Sequence, residues 1–84
     1  MRIIFTPKAW EEYLFWQSTS KKALKRINLL IKETSKNPYD GIGKPEALKH
    51  VLSGYFSRRI DQQNRMVYKV KEDSLVIIQL RYHY

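Results

Sequence analysis

Tyr55-Phe56-Ser57-Arg58-Arg59-Ile60, Arg65-Met66-Val67-Tyr68-Lys69-Val70 and Leu75-Val76-Ile77-Ile78, the last continuing toward Tyr82, are the runs that decide the fold. Each is rich in β-branched and aromatic residues. The polar segments between them, Asp61-Gln62-Gln63-Asn64 and Lys71-Glu72-Asp73-Ser74, suit hairpin turns. Three strands joined this way make an antiparallel meander. Leu75 to Ile78 is apolar without a break, as expected of a central strand buried on both faces. Alternation along the middle run sends Arg65, Val67 and Lys69 to one face and Met66, Tyr68 and Val70 to the other.

Before Gly54 the pattern is helical, apart from a short apolar strand at Arg2 to Phe5. Thr6 offers an N-cap and Pro7 a first helical position, where its missing N–H is harmless. From Lys8 to about Gln17, Trp10, Tyr13 and Leu14 fall at i, i+3 and i+4, and Ala9, Tyr13 and Trp16 continue the apolar stripe. Ser18-Thr19-Ser20 breaks this helix and caps the next. There Ala23, Ile27, Leu30, Ile31 and Thr34 recur at helical spacing, with Lys21, Lys22, Lys25, Lys32 and Glu33 mostly off that face. Asn37, placed before Pro38, ends the second helix. Pro38, Gly41, Gly43 and Pro45 mark a loop dense in breakers, and Glu46 follows it directly. The fold class expected is α+β, one domain over residues 1–84, with two N-terminal helices packed on a mainly antiparallel sheet.

A chain of 84 residues buries a modest share of its surface, so its stability is expected to be modest. It has no cysteine to add disulfides or thiolate metal sites. The apolar run at the N-terminus is too short for a signal peptide, and no stretch approaches the ~20 apolar residues of a membrane span. A soluble, cytoplasmic protein is expected. Sixteen Lys and Arg stand against eight Asp and Glu, a formal charge of +8, which points to a polyanionic partner, either nucleic acid or an acidic protein.

The polar residues of the C-terminal half include Glu46, Lys49, His50, Arg58, Arg59, Arg65, Arg81, His83 and Tyr84. Metal-free RNA cleavage needs a base for the ribose 2′-OH, cations for the phosphorane charge and an acid for the leaving 5′-oxygen. A carboxylate, arginines and a histidine make up such a set. Each residue also has a plainer reading. Glu46 suits a surface carboxylate at a turn or helix start, and Arg58 and Arg59 suit solvated strand positions. His83 and Tyr84 suit a frayed end, although the strongly apolar strand before them argues for a tail tied down by the sheet. If Ile60 pairs with Arg65, Arg59 faces away; a shift of one residue brings the two arginines together. The sequence leaves both registers open. HExxH, DxD, P-loop and nucleophile-elbow patterns are absent, so neither a metal nor a nucleotide cofactor is expected.

The blocks Lys44-Pro45-Glu46…Leu48-Lys49-His50, Leu52-Ser53-Gly54…Ser57-Arg58-Arg59-Ile60, Arg65-Met66-Val67-Tyr68 and Arg81-Tyr82-His83-Tyr84 resemble the YoeB toxins of the RelE superfamily. The resemblance runs the length of the chain and takes in Trp10, Tyr13 and Trp16. It implies a RelE-like, microbial-ribonuclease-like fold and a ribosome-dependent endoribonuclease that cuts mRNA in the A site. By matching positions, it implies Glu46 as general base, Arg65 as transition-state cation, His83 as general acid and Tyr84 as a substrate-positioning residue. Lys49 and Arg59 are implied as phosphate contacts, and Arg58 as a further one. Implied partners are a YefM-like antitoxin, the ribosome with its mRNA, a second copy in a homodimer, and operator DNA only when bound with the antitoxin. Family members often carry acidic residues and a His just before the arginine at 65. Here the run is Gln62-Gln63-Asn64, which puts a supporting acidic role in question. The rival reading is a non-catalytic basic module that blocks translation by occupying RNA. A DNA-binding regulator acting alone is a third, without an evident helix-turn-helix.

Overall fold

The computed structural model describes residues 1–83. In chain order its elements are β1 (Arg2–Phe5), α1 (Pro7–Thr19), α2 (Lys21–Lys36), β2 (Glu46–Ala47), a 3-10 turn at His50–Leu52, β3 (Phe56–Arg59), β4 (Arg65–Lys71) and β5 (Ser74–Gln79). Both helices start where the side chains dictate. Thr6 Oγ1 accepts the Ala9 N–H at 3.2 Å, and Ser20 Oγ accepts the Ala23 N–H at 3.1 Å. Asn37 closes α2 in an extended conformation, as a residue before proline should.

The five strands form one sheet in the order β1-β5-β4-β3-β2. β2, β3, β4 and β5 pair antiparallel in succession, and β1 lies parallel to β5 along the other edge. One face packs on the helices. Ala9 and Trp16 of α1 and Ile27 and Leu30 of α2 meet Ile60, Met66, Tyr68, Leu75, Ile77 and Leu80 in a single core. This is the α+β architecture expected from the sequence.

Three details differ from expectation. In α1 the buried stripe is Ala9, Glu12 and Trp16, whereas Trp10 and Leu14 are exposed. The helix is rolled so that the Glu12 carboxylate faces inward beside Trp16, while Trp10 faces out. Trp10 instead stacks on Tyr13, centroids 5.5 Å apart and nearly parallel, with Phe5 edge-on to both. Second, β5 ends at Gln79, three residues short of Tyr82. Third, Glu46 stands on a two-residue edge strand that its sequence context did not announce. Within β5, Leu75 and Ile77 are fully buried but Val76 and Ile78 only half-buried, so the far face of the strand is partly open.

Candidate active site

Cross-strand partners share a sheet face, and so do residues two apart. Glu46 pairs with Ser57, Ser57 with Val67 and Val67 with Gln79, one row across four strands on the face away from the core. The next row holds Arg59 opposite Arg65. This resolves the register left open above: the turn from Ile60 to Asn64, closed by the Ile60 N–H on Asn64 O at 3.0 Å, brings the two arginines side by side. Like charges facing each other oppose strand pairing unless something compensates. Arg65 is compensated locally, because its Nη1 donates to the carbonyls of Asp61 at 2.8 Å, Asn64 at 3.2 Å and Gln62 at 3.4 Å. Arg59 remains exposed beside it. An anion resting on this row would relieve the repulsion. Lys69 points to the same face two residues beyond Val67.

Glu46 and Lys49 line one shallow depression, of about 360 Å³, together with Ala47, Leu48, His50 and Leu52. His83 lines another, of about 450 Å³, with Phe15, Trp16, Gln63, Asn64, Arg81 and Tyr82. The tail reaches the arginine row through the backbone. The Arg65 N–H donates to Tyr82 O at 3.0 Å, and the Tyr82 N–H donates to Asn64 Oδ1 at 2.7 Å. Gln79 Nε2 adds bonds to the carbonyls of Tyr82 at 3.3 Å and His83 at 3.2 Å. Tyr82 itself sits at φ +69°, a left-handed conformation rare for a bulky residue, so these bonds hold a bend the residue would not choose. Tyr84 lies outside the described residues.

Arg58 corrects an expectation. It is fully buried on the helix-facing side and is not presented as a phosphate contact. Its Nε donates to the Tyr68 hydroxyl at 3.1 Å, Nη1 to Ile42 O at 3.0 Å, and Nη2 to Asn37 O at 2.5 Å and Asp40 O at 2.9 Å. Asn37 caps the C-terminus of α2, where the helix carries partial negative charge, so carbonyl dipoles stand in for a counter-ion. Arg58 therefore fastens the loop that delivers Glu46. Gly43 makes the close approach possible, with φ +82° and its carbonyl accepting the Arg59 N–H at 2.7 Å. A Cβ there would lie 2.9 Å from Leu30 Cδ2 and 3.1 Å from Arg58 Cβ.

Burial pushes the Tyr68 hydroxyl up in pKa against the opposing hydrogen bond and charge of Arg58, and the net is upward. Tyr68 stays neutral and donates onward to Pro38 O at 2.5 Å. For Asp61, burial also pushes upward. The Gln63 and Asn64 donors and the Arg65 charge outweigh it and hold the carboxyl below its usual range. Asp61 Oδ1 accepts the N–H groups of Gln63 at 2.8 Å and Asn64 at 2.7 Å, which shapes the turn that carries Arg65 and Asn64. A depressed folded-state pKa gives stability that is present above the unfolded value, near 3.8, and is lost as pH falls through the folded value. Asp61→Asn is therefore expected to flatten the stability-versus-pH curve below about pH 4 and leave its slope at neutral pH alone. Urea denaturation of both proteins from pH 6 to 2 checks this; parallel curves would reject it.

Glu12, Trp16, Asn64 and Gln79 all act on the tail, a role the sequence reading assigned to none of them. Glu12 and Trp16 had one available signal, their spacing with Ala9 on a single helical face. Among the described residues, no group of three or more His, Cys, Asp or Glu is gathered to hold a metal.

The family model for YoeB-like toxins of bacterial type II toxin–antitoxin systems matches residues 5–84. The chain is 52% identical to Toxin YoeB of Escherichia coli K12 over 84 residues, covering all of both. Among solved structures, it superposes on the YoeB/ParE toxin from Agrobacterium tumefaciens with a TM-score of 0.98, at 42% identity and full coverage of both chains. It also superposes on YoeB from Staphylococcus aureus, solved as a dimer, with a TM-score of 0.93, and as a complex with YefM, with a TM-score of 0.92. Each S. aureus match is 45% identical and covers 100% of this chain and 98% of the other. Sequence and fold agree along the whole length: the chain belongs to the YoeB-like toxins of bacterial type II toxin–antitoxin systems.

Proposed function

We propose that this toxin is a metal-independent, ribosome-dependent endoribonuclease that cleaves mRNA in the ribosomal A site and so stops translation. The observation that carries the reading is the sheet face holding Glu46, Arg59 and Arg65, with the tail bearing His83 bonded to the backbone of Arg65. Strands lie about 4.8 Å apart, so Glu46 stands roughly 10 Å across from the β4 row, a span that long side chains and one phosphodiester bridge.

In the proposed reaction the Glu46 carboxylate takes the proton from the 2′-OH, and O2′ forms a bond to phosphorus. Arg65 neutralises the extra negative charge on the phosphorane, with Arg59 and Lys49 holding the neighbouring phosphates. The P–O5′ bond breaks as the His83 imidazolium gives its proton to O5′. The products are a 2′,3′-cyclic phosphate and a 5′-hydroxyl, and no water is consumed. Tyr84 is assigned to stacking on a base beside the cut.

The same reading puts the toxin in the cytoplasm, paired with a YefM-like antitoxin whose acidic segment meets the basic face; the S. aureus relative was solved in complex with YefM. Operator DNA is a partner only of that complex. A homodimer is proposed as well, with exposed Trp10 and Leu14 of α1 as candidate contacts.

One observation favours blocking by occupancy instead: α2 exposes Lys21, Lys22, Lys25, Lys32 and Lys36, enough charge to bind RNA without cutting it. Mapping RNA ends on stalled ribosomes in EDTA separates the two readings. New ends within the A-site codon are expected. Inhibition without new ends would establish the occupancy reading.

A further inference from the structure

We propose that Glu12 and Trp16 of α1 are positioning residues for the C-terminal tail, acting on His83 through Leu80. The inference rests on the reading of His83 as the acid and deepens it. Both side chains grip the backbone of a single residue. The Leu80 N–H donates to Glu12 Oε1 at 2.8 Å, and Trp16 Nε1 donates to Leu80 O at 2.7 Å.

The location explains the need. The β5 ladder stops at Gln79, so nothing in the sheet's own pairing fixes the backbone of Leu80. Beyond it the chain must leave the strand direction, pass through the left-handed Tyr82 and bring His83 alongside the start of β4. The Leu80 side chain is fully buried, which fixes its depth but not the direction of the peptides on either side. Two hydrogen bonds to one residue fix that direction. α1 also holds the next residue, because the Arg81 guanidinium lies 3.6 Å over the Phe15 ring. Asn64 and the Arg65 backbone then take over at Tyr82. Helix, strand turn and tail thus form one chain of contacts that ends at His83.

Glu12 is otherwise hard to account for. It is 7% exposed, on the core-facing stripe between Ala9 and Trp16, where an apolar residue would pack without the desolvation penalty of a carboxylate. Its acceptor serves the Leu80 N–H, just beyond the last residue of β5.

The test compares Glu12→Gln, Glu12→Met and Trp16→Phe in full-length protein with translating ribosomes. Gln keeps an acceptor oxygen at the same place, Met fills the space without one, and Phe removes the indole donor together with part of the ring volume, so its stability is measured alongside turnover. Glu12→Met and Trp16→Phe are expected to lower kcat about ten- to hundredfold, the loss typical of a misplaced catalytic group, with KM within about threefold of wild type. Exchange of the Leu80 amide with deuterium should quicken in Glu12→Met, and Glu12→Gln should restore both turnover and protection. If Glu12→Met fails to fold, Trp16→Phe carries the same expectation. Full turnover in the folded variants, or losses that track only the fraction unfolded, overturns this inference alone. Wild-type protein that leaves mRNA uncut overturns the proposed function and this inference together.

Discussion

Replacing Arg58 with methionine is expected to remove about 3–5 kcal/mol of folding stability, the loss seen when one side of a buried charged network is deleted. A domain of this size has only about 4–13 kcal/mol in total, at roughly 0.05–0.15 kcal/mol per residue, so the variant should be close to unfolding at 37 °C. The carbonyls of Asn37, Asp40 and Ile42 and the Tyr68 hydroxyl would all lose their donor at once. Lysine is a poor substitute, because one ammonium group cannot span three carbonyls and a hydroxyl that the guanidinium reaches from three nitrogens. Urea denaturation of Arg58→Met and Arg58→Lys decides the matter. Wild-type stability combined with weakened RNA binding would restore Arg58 to the phosphate-binding surface. The same experiment reads the loop, since Arg58 bonds residues 37, 40 and 42 of the segment that leads to Glu46.

The opposite pattern is expected at Glu46 and His83. Both are exposed, so Glu46→Ala and His83→Gln should fold like wild type. Each should slow mRNA cleavage by about 10²–10⁴-fold, the usual contribution of a positioned proton-transfer group. The two losses should combine to less than their product, because base and acid act on one concerted displacement. Single-turnover cleavage on programmed ribosomes measures this directly. Full activity in either variant would remove that residue from the proposed mechanism. Arg59→Ala and Lys49→Ala should act more gently and mainly reduce the salt dependence of binding, as loss of a phosphate contact does.

Much of the fold was legible in the sequence because it depends on local patterns. The apolar period of α2 and the three strand runs of the meander survive in the structure nearly as written. The orientation of α1 was not legible by weighing side chains. Trp10 and Leu14 look like core, yet a role for Glu12 at a distant backbone position turns the helix the other way. Arg58 misleads for a similar reason. A cation in a strand reads as solvated unless the carbonyls that surround it, 16 to 21 positions away in the chain, can be foreseen. The Arg59–Arg65 pairing needed the geometry of one turn, and periodicity cannot supply that. The tail was expected to be tied by the sheet. The sheet does hold it, through the Arg65 backbone of β4 and the Gln79 side chain of β5, and side chains of α1 and Asn64 add ties that periodicity does not reveal.

The parallel pairing of β1 with β5 sets a timetable for the molecule's birth. Arg2 is matched with Ser74 and Phe5 with Ile77, so the first strand made is completed by the last. While a ribosome is still synthesising the chain, Ile3 and Ile4 have no neighbouring strand, and the core lacks Leu75, Ile77 and Leu80. The helices and the β3–β4 hairpin, whose contacts are local, are free to form earlier; the long-range pairing of β1 with β5 comes late. Until Ser74–Gln79 has been made, the sheet lacks β5 and the tail cannot bond to the start of β4. Over that interval Ile3 and Ile4 lie without their β5 partners, an apolar segment open to other contacts.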